Sequence, residues 1–510
     1  MSAIRRKIAL PTAIVASAAL AVTSGPAALA EQPDTTSELP ERVAESLTVG
    51  DINRHLTAFQ RIAWQHDGHR ASGTPGYDRS ADYVEGVLER AGFDVTRQKF
   101  EFTYFEVLEE RLESGNQQHE VHLMRHSPAT PEGGLTAPTV VVPESDEPGC
   151  DAGDYEGIDV DGAIALIQRG ACTFAQKQQV AADEGAVAAL IYNNVEGPLH
   201  GTLGDPEDAR IPTGGVSDTT GADLVYAAGE EATLELRAIS EERTTDNVLA
   251  ETATGATDNV VMAGAHLDSV LEGPGINDNG SGSAALLQAA VEMGPEPEVN
   301  NAVRFAWWGA EEVGLVGSTH YVQELDFEEQ LDIAMYLNFD MIGSPNGGYF
   351  VYDGDGEEFG VPGPHGSAAI EGAFVERLGE QGVETEPSEL SMRSDYAEFM
   401  NQGIPIGGLF TGAEGVKTEE QAAKWGGTAG QAYDPCYHQA CDHLGNLDRQ
   451  MLLDNAKAAA YVIGSYGLST EDVNGVGPGD MVSMQQRAAE RAGQQLMHAG
   501  AASQGHHQAS

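Results

Sequence analysis

Four short apolar runs in the second half of the chain, each followed by a segment with helical spacing, constrain the fold more than any other feature. They cover residues 259–263, 303–308, 335–339 and 405–410. Apolar runs of strand length that alternate with helices are typical of a largely parallel sheet, because its strands are buried on both faces beneath helices. The sequence therefore predicts an α/β fold with a parallel or mixed sheet flanked by helices.

A segment of different character, residues 131–245, interrupts this larger domain. One helix is predicted within it, over residues 174–184, and turns rich in Gly and Asp separate its strands. The pattern indicates a mostly-β module inserted into a discontinuous larger domain, residues 45–130 and 246–468. The apolar strands predicted in the module cover residues 140–142, 164–167 and 187–191.

The two ends of the chain differ in composition from the rest. Residues 1–30 have a basic start, an apolar stretch from residue 8 to residue 22, and small residues ending at Ala30. This is the order of a secretory signal peptide, and the apolar stretch is too short for a membrane span. We therefore expect cleavage after Ala30 and secretion from the cell. Residues 469–510 are rich in Gly, Gln and Ala and predict a flexible or processed tail.

Charge is strongly unbalanced, with 80 acidic against 27 basic residues and a net charge of −53 at pH 7. The acidic residues are spread along the chain rather than collected in one tail. Such a surface repels nucleic acid and anionic membranes, so we expect neither as a partner. The charge is typical of a halophilic protein, whose self-repulsion concentrated salt screens.

The four cysteines fall into two close pairs, Cys150 with Cys172 and Cys436 with Cys441. In an exported protein, an even number of cysteines paired by proximity indicates two disulfides. Zinc ligation is the alternative for the second pair. The CxxC spacing usual for zinc is absent there, which favours the disulfide.

Side chains that bind metals follow the apolar runs of the larger domain. In a parallel sheet, ligands bind beyond the carboxyl ends of the strands, so these side chains can converge although they are far apart in sequence. Singly, each is more often a structural histidine or a solvated acid, and only the combination indicates a site. The set comprises His266 and Asp268 after the first run, Asp278 in a Gly-rich turn, Glu311 and Glu312 after the second run, Asp340 after the third, and Tyr437 and His438 beyond the fourth.

Histidine and carboxylate ligands of this kind suit zinc. Two histidines and three carboxylates can hold two ions about 3.5–4 Å apart, with one carboxylate bridging them. One ion polarises a carbonyl, both lower the pKa of a shared water, and a spare carboxylate takes its proton. The sequence thus predicts hydrolysis at a site with two Zn²⁺ per chain. It neither requires nor excludes calcium.

The stretches around these residues resemble the secreted bacterial double-zinc aminopeptidases of the leucine aminopeptidase type. The resemblance extends over nearly all of residues 48–468, in matching order and spacing. The matching stretches are AHLDSV at 265–270, GINDNGSG at 275–282, FAWWGAEE at 305–312, NFDM at 338–341, RSDY at 393–396, LFTGA at 409–413 and DPCYHQAC at 434–441.

The resemblance implies a metal ligand set. His266 and Asp340 would bind one zinc ion, Glu312 and His438 the other, and Asp278 would bridge them. The choice of Glu312 rather than its neighbour as a ligand comes from the resemblance alone.

It also implies roles for side chains around the metals. Glu311 would be the general base, and Asp268 would orient a metal-binding histidine. Tyr437 would donate to the oxyanion, held in place by the loop that the second disulfide closes. Arg393 and Phe410 would shape the substrate pocket.

The inserted module resembles a protease-associated domain in residues 169–174, RGACTF, and residues 185–194, which end in AALIYNN. Domains of this type usually cover or flank a peptidase site. Compact members of the aminopeptidase family lack one.

These observations together predict a secreted, monomeric aminopeptidase that acts on peptides with a free amino terminus, and the resemblance implies a preference for large, leucine-like residues. A carboxypeptidase or dipeptidase of the same fold is the first alternative, and a glutaminyl cyclase, which uses one zinc ion, is the second. A non-catalytic binding protein is the third. It is disfavoured because such a protein would have no chemical reason to keep Glu311 beside a complete ligand set.

Overall fold

The computed structural model describes residues 38–115, 117–204 and 208–477. The predicted signal peptide, residues 1–30, and the tail beyond residue 477 lie outside the described residues. Within the described ranges, no helix is both long enough and apolar enough to cross a membrane.

Three helices open the described chain, and their apolar faces pack into the main core. The hydroxyl of Thr48 caps the second helix by accepting a hydrogen bond from the backbone N–H of Asp51. The third helix is followed by its C-cap, Gly92, whose φ of 99° is a left-handed conformation that glycine adopts without strain. The helices are α1 (Leu39–Ser46), α2 (Val49–Gln65) and α3 (Pro75–Ala91).

A ribbon of two long antiparallel strands connects the inserted module to the larger domain. These are the first and last strands in this part of the chain. They pair along almost their whole length, from Val95 opposite Ala250 to Ser114 opposite Ala232. The elements of this part are β1 (Val95–Ser114), β2 (Gln117–His119), β3 (His122–Leu123), β4 (Leu135–Val141), a 3-10 helix (Ala152–Tyr155), β5 (Ile164–Gln168), α4 (Phe174–Asp183), β6 (Ala188–Tyr192), β7 (Thr213–Val216), α5 (Asp218–Tyr226) and β8 (Glu231–Glu251).

The module differs from the sequence-based expectation in two respects. It contains a second helix, α5, which was not predicted. Residues 117–130, which the sequence assigns to the larger domain, contact the module instead, because β3 pairs with β7 and Val121 and Leu123 lie in the module's own core. Strands β4 to β7 run parallel to one another.

The remaining strands alternate with helices, as the apolar runs predict. The elements are β9 (Ala256–His266), α6 (Gly280–Met293), β10 (Asn301–Trp308), α7 (Val316–Glu324), α8 (Phe327–Asp332), β11 (Ile333–Phe339), β12 (Phe350–Tyr352), α9 (Ser367–Glu380), β13 (Glu386–Ser388), α10 (Tyr396–Asn401), β14 (Ile406–Phe410), α11 (Glu419–Trp425), α12 (Arg449–Leu468) and α13 (Glu471–Asn474).

The central sheet has the strand order β13-β12-β14-β11-β9-β10-β8. The four strands β14, β11, β9 and β10 run parallel to one another, and the flanking β12 and β8 run antiparallel to their neighbours. Helices cover both faces: α1, α2, α3, α6 and α12 on one, and α7 and α10 on the other. The predicted mixed sheet flanked by helices is therefore confirmed, and the carboxyl ends of its four parallel strands lie at one edge.

Residues 469–477, which the sequence assigns to a flexible tail, pack against the larger domain. Thr470 is fully buried, and its Oγ1 accepts a hydrogen bond of 2.8 Å from Asn259 Nδ2 at the start of the central sheet. Val473 joins the main core.

Candidate active site

The side chains predicted from the strand ends, with the exception of Asp268, line one cavity of about 730 Å³. His266 is the last residue of β9, and Asp340 directly follows β11. Asp278 directly precedes Asn279, the N-cap of α6, and the side chain of Asn279 donates to the carbonyl of Phe339 at 2.9 Å. A short α6–β11 distance is required here, since a Cβ at Gly282 would collide with the same carbonyl.

Asp278 lies between the two histidines of the cluster. Its Oδ1 is 3.2 Å from Nε2 of His266, and its Oδ2 is 3.2 Å from Nε2 of His438. Asp340 Oδ1 lies 3.3 Å from the same nitrogen of His266, and Glu312 Oε2 lies 3.0 Å from that of His438. Each histidine therefore faces one oxygen of Asp278 and one further carboxylate.

These spacings fit divalent metal ions. Zinc bonds of about 2.0–2.2 Å in a tetrahedron place neighbouring ligand atoms about 3.3–3.6 Å apart. Glu312 Oε1 and Asp340 Oδ1 are buried and accept no hydrogen bond within the described chain. Two groups of donors, His266 with Glu311 and Asp340, and His266 with Asp278 and Glu312, each have their ligand atoms within 4.8 Å of one another.

The charge of the cluster also favours cations. Burial and the neighbouring Asp278 carboxylate raise the pKa of Glu312 to about 7. Burial likewise raises the pKa of Glu311 well above its usual range, although the charge of His266 opposes the shift. Burial lowers the pKa of His438, but hydrogen bonds to Asp278 and Glu312 overcome this effect and raise it to about 10. Carboxyl groups therefore outnumber basic groups in the cluster, and bound cations would favour the ionised form of these carboxyl groups.

Asp268 lies behind the cluster and is 1% exposed. Its Oδ1 is 3.6 Å from Nδ1 of His266, on the side of the ring away from the other carboxylates, and accepts a hydrogen bond of 3.3 Å from the backbone N–H of Glu311. It therefore contacts both the histidine and the loop that bears the two glutamates.

Tyr437 lies at the mouth of the cluster, where its ring stacks on that of His438 with centroids 3.8 Å apart. Its hydroxyl accepts a hydrogen bond of 3.4 Å from Arg393, whose guanidinium also pairs with Glu414 at 2.7 Å. Burial and the nearby carboxylates raise the pKa of Tyr437 well above its usual range, so the hydroxyl keeps its proton. Phe410, the last residue of β14, lines the cavity wall.

Both predicted disulfides are formed in the structure. Cys150 pairs with Cys172 in the inserted module. Cys436 pairs with Cys441 and closes the short segment that carries Tyr437.

Comparisons with known proteins agree with this arrangement. A model of peptidase family M28 matches residues 247–463, and a PA domain model matches residues 135–224. A probable lipoprotein aminopeptidase of Mycobacterium tuberculosis, LpqL, is 45% identical over 461 residues, which cover 89% of this chain and 90% of the relative. The chain belongs to peptidase family M28.

Solved structures support the same assignment of this M28 peptidase. An aminopeptidase from Aneurinibacillus sp. strain AM-1 has a TM-score of 0.64 at 26% identity, over 88% of this chain and 97% of that one. BSAP, a zinc aminopeptidase from Bacillus subtilis, has a TM-score of 0.60 at 25% identity, over 82% and 95% of the two chains. The predicted family, enzyme class and inserted PA domain are confirmed.

Two residues of the M28 site were not assigned a role from the sequence. Ser394 donates a hydrogen bond of 2.5 Å to Asp340 Oδ2. Asp395 is buried beside the cluster, and burial raises its pKa to about 7 although the charge of His266 opposes the shift. Both lie in the stretch 393–396, so its similarity to the aminopeptidases was a signal that could have identified them.

Proposed function

We propose that the protein is a secreted, zinc-dependent aminopeptidase that removes single residues from the amino termini of peptides. The observation that carries the proposal is the position of Asp278, with one carboxylate oxygen facing each of two histidines and a further carboxylate beside each. The match to family M28 and the aminopeptidase names of its relatives support the same conclusion.

The five ligand side chains divide into two sets that share Asp278. His266 and Asp340 would hold one zinc ion, and His438 and Glu312 the other. When bound, the two ions polarise the scissile carbonyl and lower the pKa of the attacking water.

The surrounding residues supply the proton transfers and the orientation. Glu311 accepts the proton of the attacking water, since burial and neighbouring carboxylates make its carboxylate a stronger base than a solvated glutamate. Tyr437 donates a hydrogen bond to the oxygen that becomes negative in the transition state. Asp268 orients His266 through its Nδ1.

The rest of the cavity supports a preference for large apolar residues such as leucine. Its walls include Met341, Phe350, Tyr352 and Phe410, which together offer an apolar surface close to the metal ligands. Arg393 lies at the mouth, where its pairing with Glu414 holds it beside Tyr437.

The proposal includes an organisation of the whole chain. Residues 1–30 are a secretory signal peptide, residues 131–245 form the bulk of the protease-associated domain, and the mature protein acts as a monomer on peptides. The contacts of residues 117–130 and 469–477 extend the module and the peptidase domain, respectively, beyond these sequence-based limits.

The deciding experiment compares three forms of one leucyl peptide: free at both ends, acetylated at the amino terminus, and amidated at the carboxyl terminus. An aminopeptidase cleaves the first and third and releases leucine, whereas a carboxypeptidase cleaves the first and second. A dipeptidase cleaves none of the longer forms, and a glutaminyl cyclase acts only on an amino-terminal glutamine. Cleavage of the acetylated form, together with no cleavage of the amidated form, would overturn the proposal.

Metal analysis tests the cofactor separately. We expect two zinc ions per chain and loss of activity on chelation, because five protein ligands exceed the three that a single catalytic zinc normally takes. One ion per chain at full activity would contradict the two-metal arrangement.

A further inference from the structure

The guanidinium of Arg70 is buried beside the metal-binding cluster. Arg70 lies between helices α2 and α3, and its side chain is fully shielded from solvent. Its nitrogens all donate to backbone carbonyl oxygens: Nη1 to Leu267, Nε to Pro274 at 2.9 Å, and Nη2 to Gly275 at 2.6 Å. The guanidinium therefore binds backbone carbonyl groups.

The three carbonyls belong to one loop, residues 267–277, which joins the ligand positions His266 and Asp278. The backbone N–H of Arg70 adds a further contact to this loop, a hydrogen bond of 2.9 Å to Oγ of Ser269. A guanidinium is rigid and planar with its donors in a fixed fork, whereas a lysine ammonium is a point charge on a flexible stem. Only arginine can therefore hold three carbonyls of this loop at fixed separations.

Asp442 holds the far end of the same loop. Its carboxylate accepts hydrogen bonds from the backbone N–H of Asn277, at 2.9 and 3.1 Å, and from that of Asp278, at 3.0 Å. It is 2% exposed and directly follows the disulfide-closed segment 436–441. Asp442 thereby ties the loop that ends in Asp278 to the segment that carries His438.

We propose that Arg70 and Asp442 are positioning residues that fix loop 267–277 from its two ends, so that Asp278 presents one oxygen to each metal position. Neither side chain is itself a ligand. The inference rests on the proposed metal binding at this site. It adds to that proposal the two residues that orient the shared ligand, Asp278.

Charge and geometry predict opposite effects for Arg70, which makes the inference testable. Burial lowers the pKa of Arg70 only to about 10, so it is positively charged at neutral pH and repels nearby cations. If its charge were all that mattered, removing it would strengthen metal binding. If it positions Asp278, its removal weakens metal binding despite the loss of repulsion.

The test measures zinc affinity of the full-length, metal-free protein by competition with a chelating dye, well below the melting temperature. The variants are Arg70→Lys and Asp442→Glu, which keep the charge and change the geometry, and Arg70→Met, which removes both. The matched control is Arg377→Met, because Arg377 is also a buried arginine, 7% exposed, but lies in helix α9 outside the cavity. Melting of each metal-free variant is recorded in parallel.

Partners of metal ligands typically change metal affinity about 10–100-fold when mutated. We therefore expect Arg70→Lys and Asp442→Glu to raise the zinc dissociation constant by this amount, and Arg70→Met to weaken binding as well. Arg377→Met should lower the melting temperature and leave zinc affinity within about threefold of wild type.

Two outcomes would overturn the inference: wild-type zinc affinity in both charge-retaining variants, or tighter binding in Arg70→Met. The first would mean that the buried contacts stabilise the fold alone, and the second that Arg70 acts by charge. Failure of the proposed function is a separate result, since a wild-type protein that binds zinc but cleaves no peptide would leave the positioning effect measurable.

Discussion

At the scale of single residues, Glu311 and Glu312 are adjacent in sequence but face different groups. Glu312 lies 3.0 Å from His438, whereas Glu311 approaches His266 and Asp340. We expect Glu311→Gln to keep its zinc and to lower kcat by about 10²–10⁴, because an amide cannot accept the water's proton. Steady-state kinetics with metal analysis of the same sample measures both properties.

The matched control for this variant is Glu324→Gln, at an exposed position on helix α7. It should have wild-type kinetics. A Glu311→Gln enzyme with near-normal kcat would mean that this carboxylate is no more than a structural acid.

The hydroxyl of Tyr437 is protonated and, among the described residues, its one hydrogen bond is the bond that it accepts from Arg393. Tyr437→Phe should therefore lower kcat by about 10²–10³, with a smaller change in KM, if the hydroxyl stabilises the oxyanion. A lower melting temperature with unchanged kcat would instead identify a packing role for the Tyr437 side chain.

The sequence predicts the residues at strand ends but not those that hold them in place. His266 and Asp340 could be found because each lies at the carboxyl end of a buried parallel strand, and such ends share one edge of a sheet. Arg70 and Asp442 act on backbone groups that are 204 and 164 residues away in the chain, respectively. Neither carries a local pattern, since a buried arginine bonded to carbonyls has the same sequence signature as a surface arginine.

At the scale of elements, the inserted module contacts the peptidase domain without lining its cavity. The residues that line the described cavity all lie between positions 266 and 438, outside the module. The module's Arg125 donates a hydrogen bond of 3.2 Å to the carbonyl of Val313, in the loop that carries the two glutamates. Aromatic residues of the ribbon, Phe100 and Phe102, pack against Ala310 in the same loop.

The structure gives better end points for a deletion of the inserted module than the sequence does. Replacing residues 108–237 with a two-residue Asn-Gly turn would join Val107 to Ala238, which are paired across the ribbon. We expect a folded peptidase core that retains hydrolysis of short substrates and has altered relative rates on long peptides. Rates on leucyl dipeptides and on long peptides, measured with thermal melting, test this. If both rates fall together with loss of folding, the module is an integral part of the core.

Sequence patterns located the central strands well and the ribbon poorly. Strands β10 and β11 contain the predicted runs because a strand buried on both faces is continuously apolar. Strands β1 and β8 carry many charged residues, and their 20- and 21-residue lengths come from pairing with each other rather than from an apolar pattern. Helix α1 was missed for a related reason, since its apolar residues are few and its burial depends on contact with α12.

At the scale of the whole molecule, we expect the net charge to determine how stability depends on salt. With −53 charges at pH 7, surface carboxylates repel one another in dilute buffer and oppose compaction. The Debye length falls from about 10 Å at 0.1 M salt to about 3 Å at 1 M, so neighbouring acids are screened only in strong salt. We expect molar potassium chloride to raise the melting temperature more than it does for an ordinary secreted enzyme.

This expectation is measured by melting across a potassium chloride series with zinc in excess, so that metal loss is not mistaken for unfolding. A secreted enzyme of small net charge provides the comparison. A melting temperature that is flat or falls from low to molar salt would contradict salt adaptation and leave solubility as the role of the charge.

We expect the disulfide between Cys436 and Cys441 to make activity depend on oxidation. It closes the segment that carries both His438 and Tyr437, so a reduced chain has no covalent restraint on a metal ligand and on the proposed oxyanion donor. The double variant Cys436→Ser, Cys441→Ser should fold, bind zinc more weakly and have a lower kcat; unchanged zinc affinity and kcat would contradict this dependence. Reducing compartments keep thiols from pairing, so the newly made chain would be latent inside the cell. If the chain is secreted as proposed, the producing cell would thereby be protected from an exopeptidase that becomes competent only outside it.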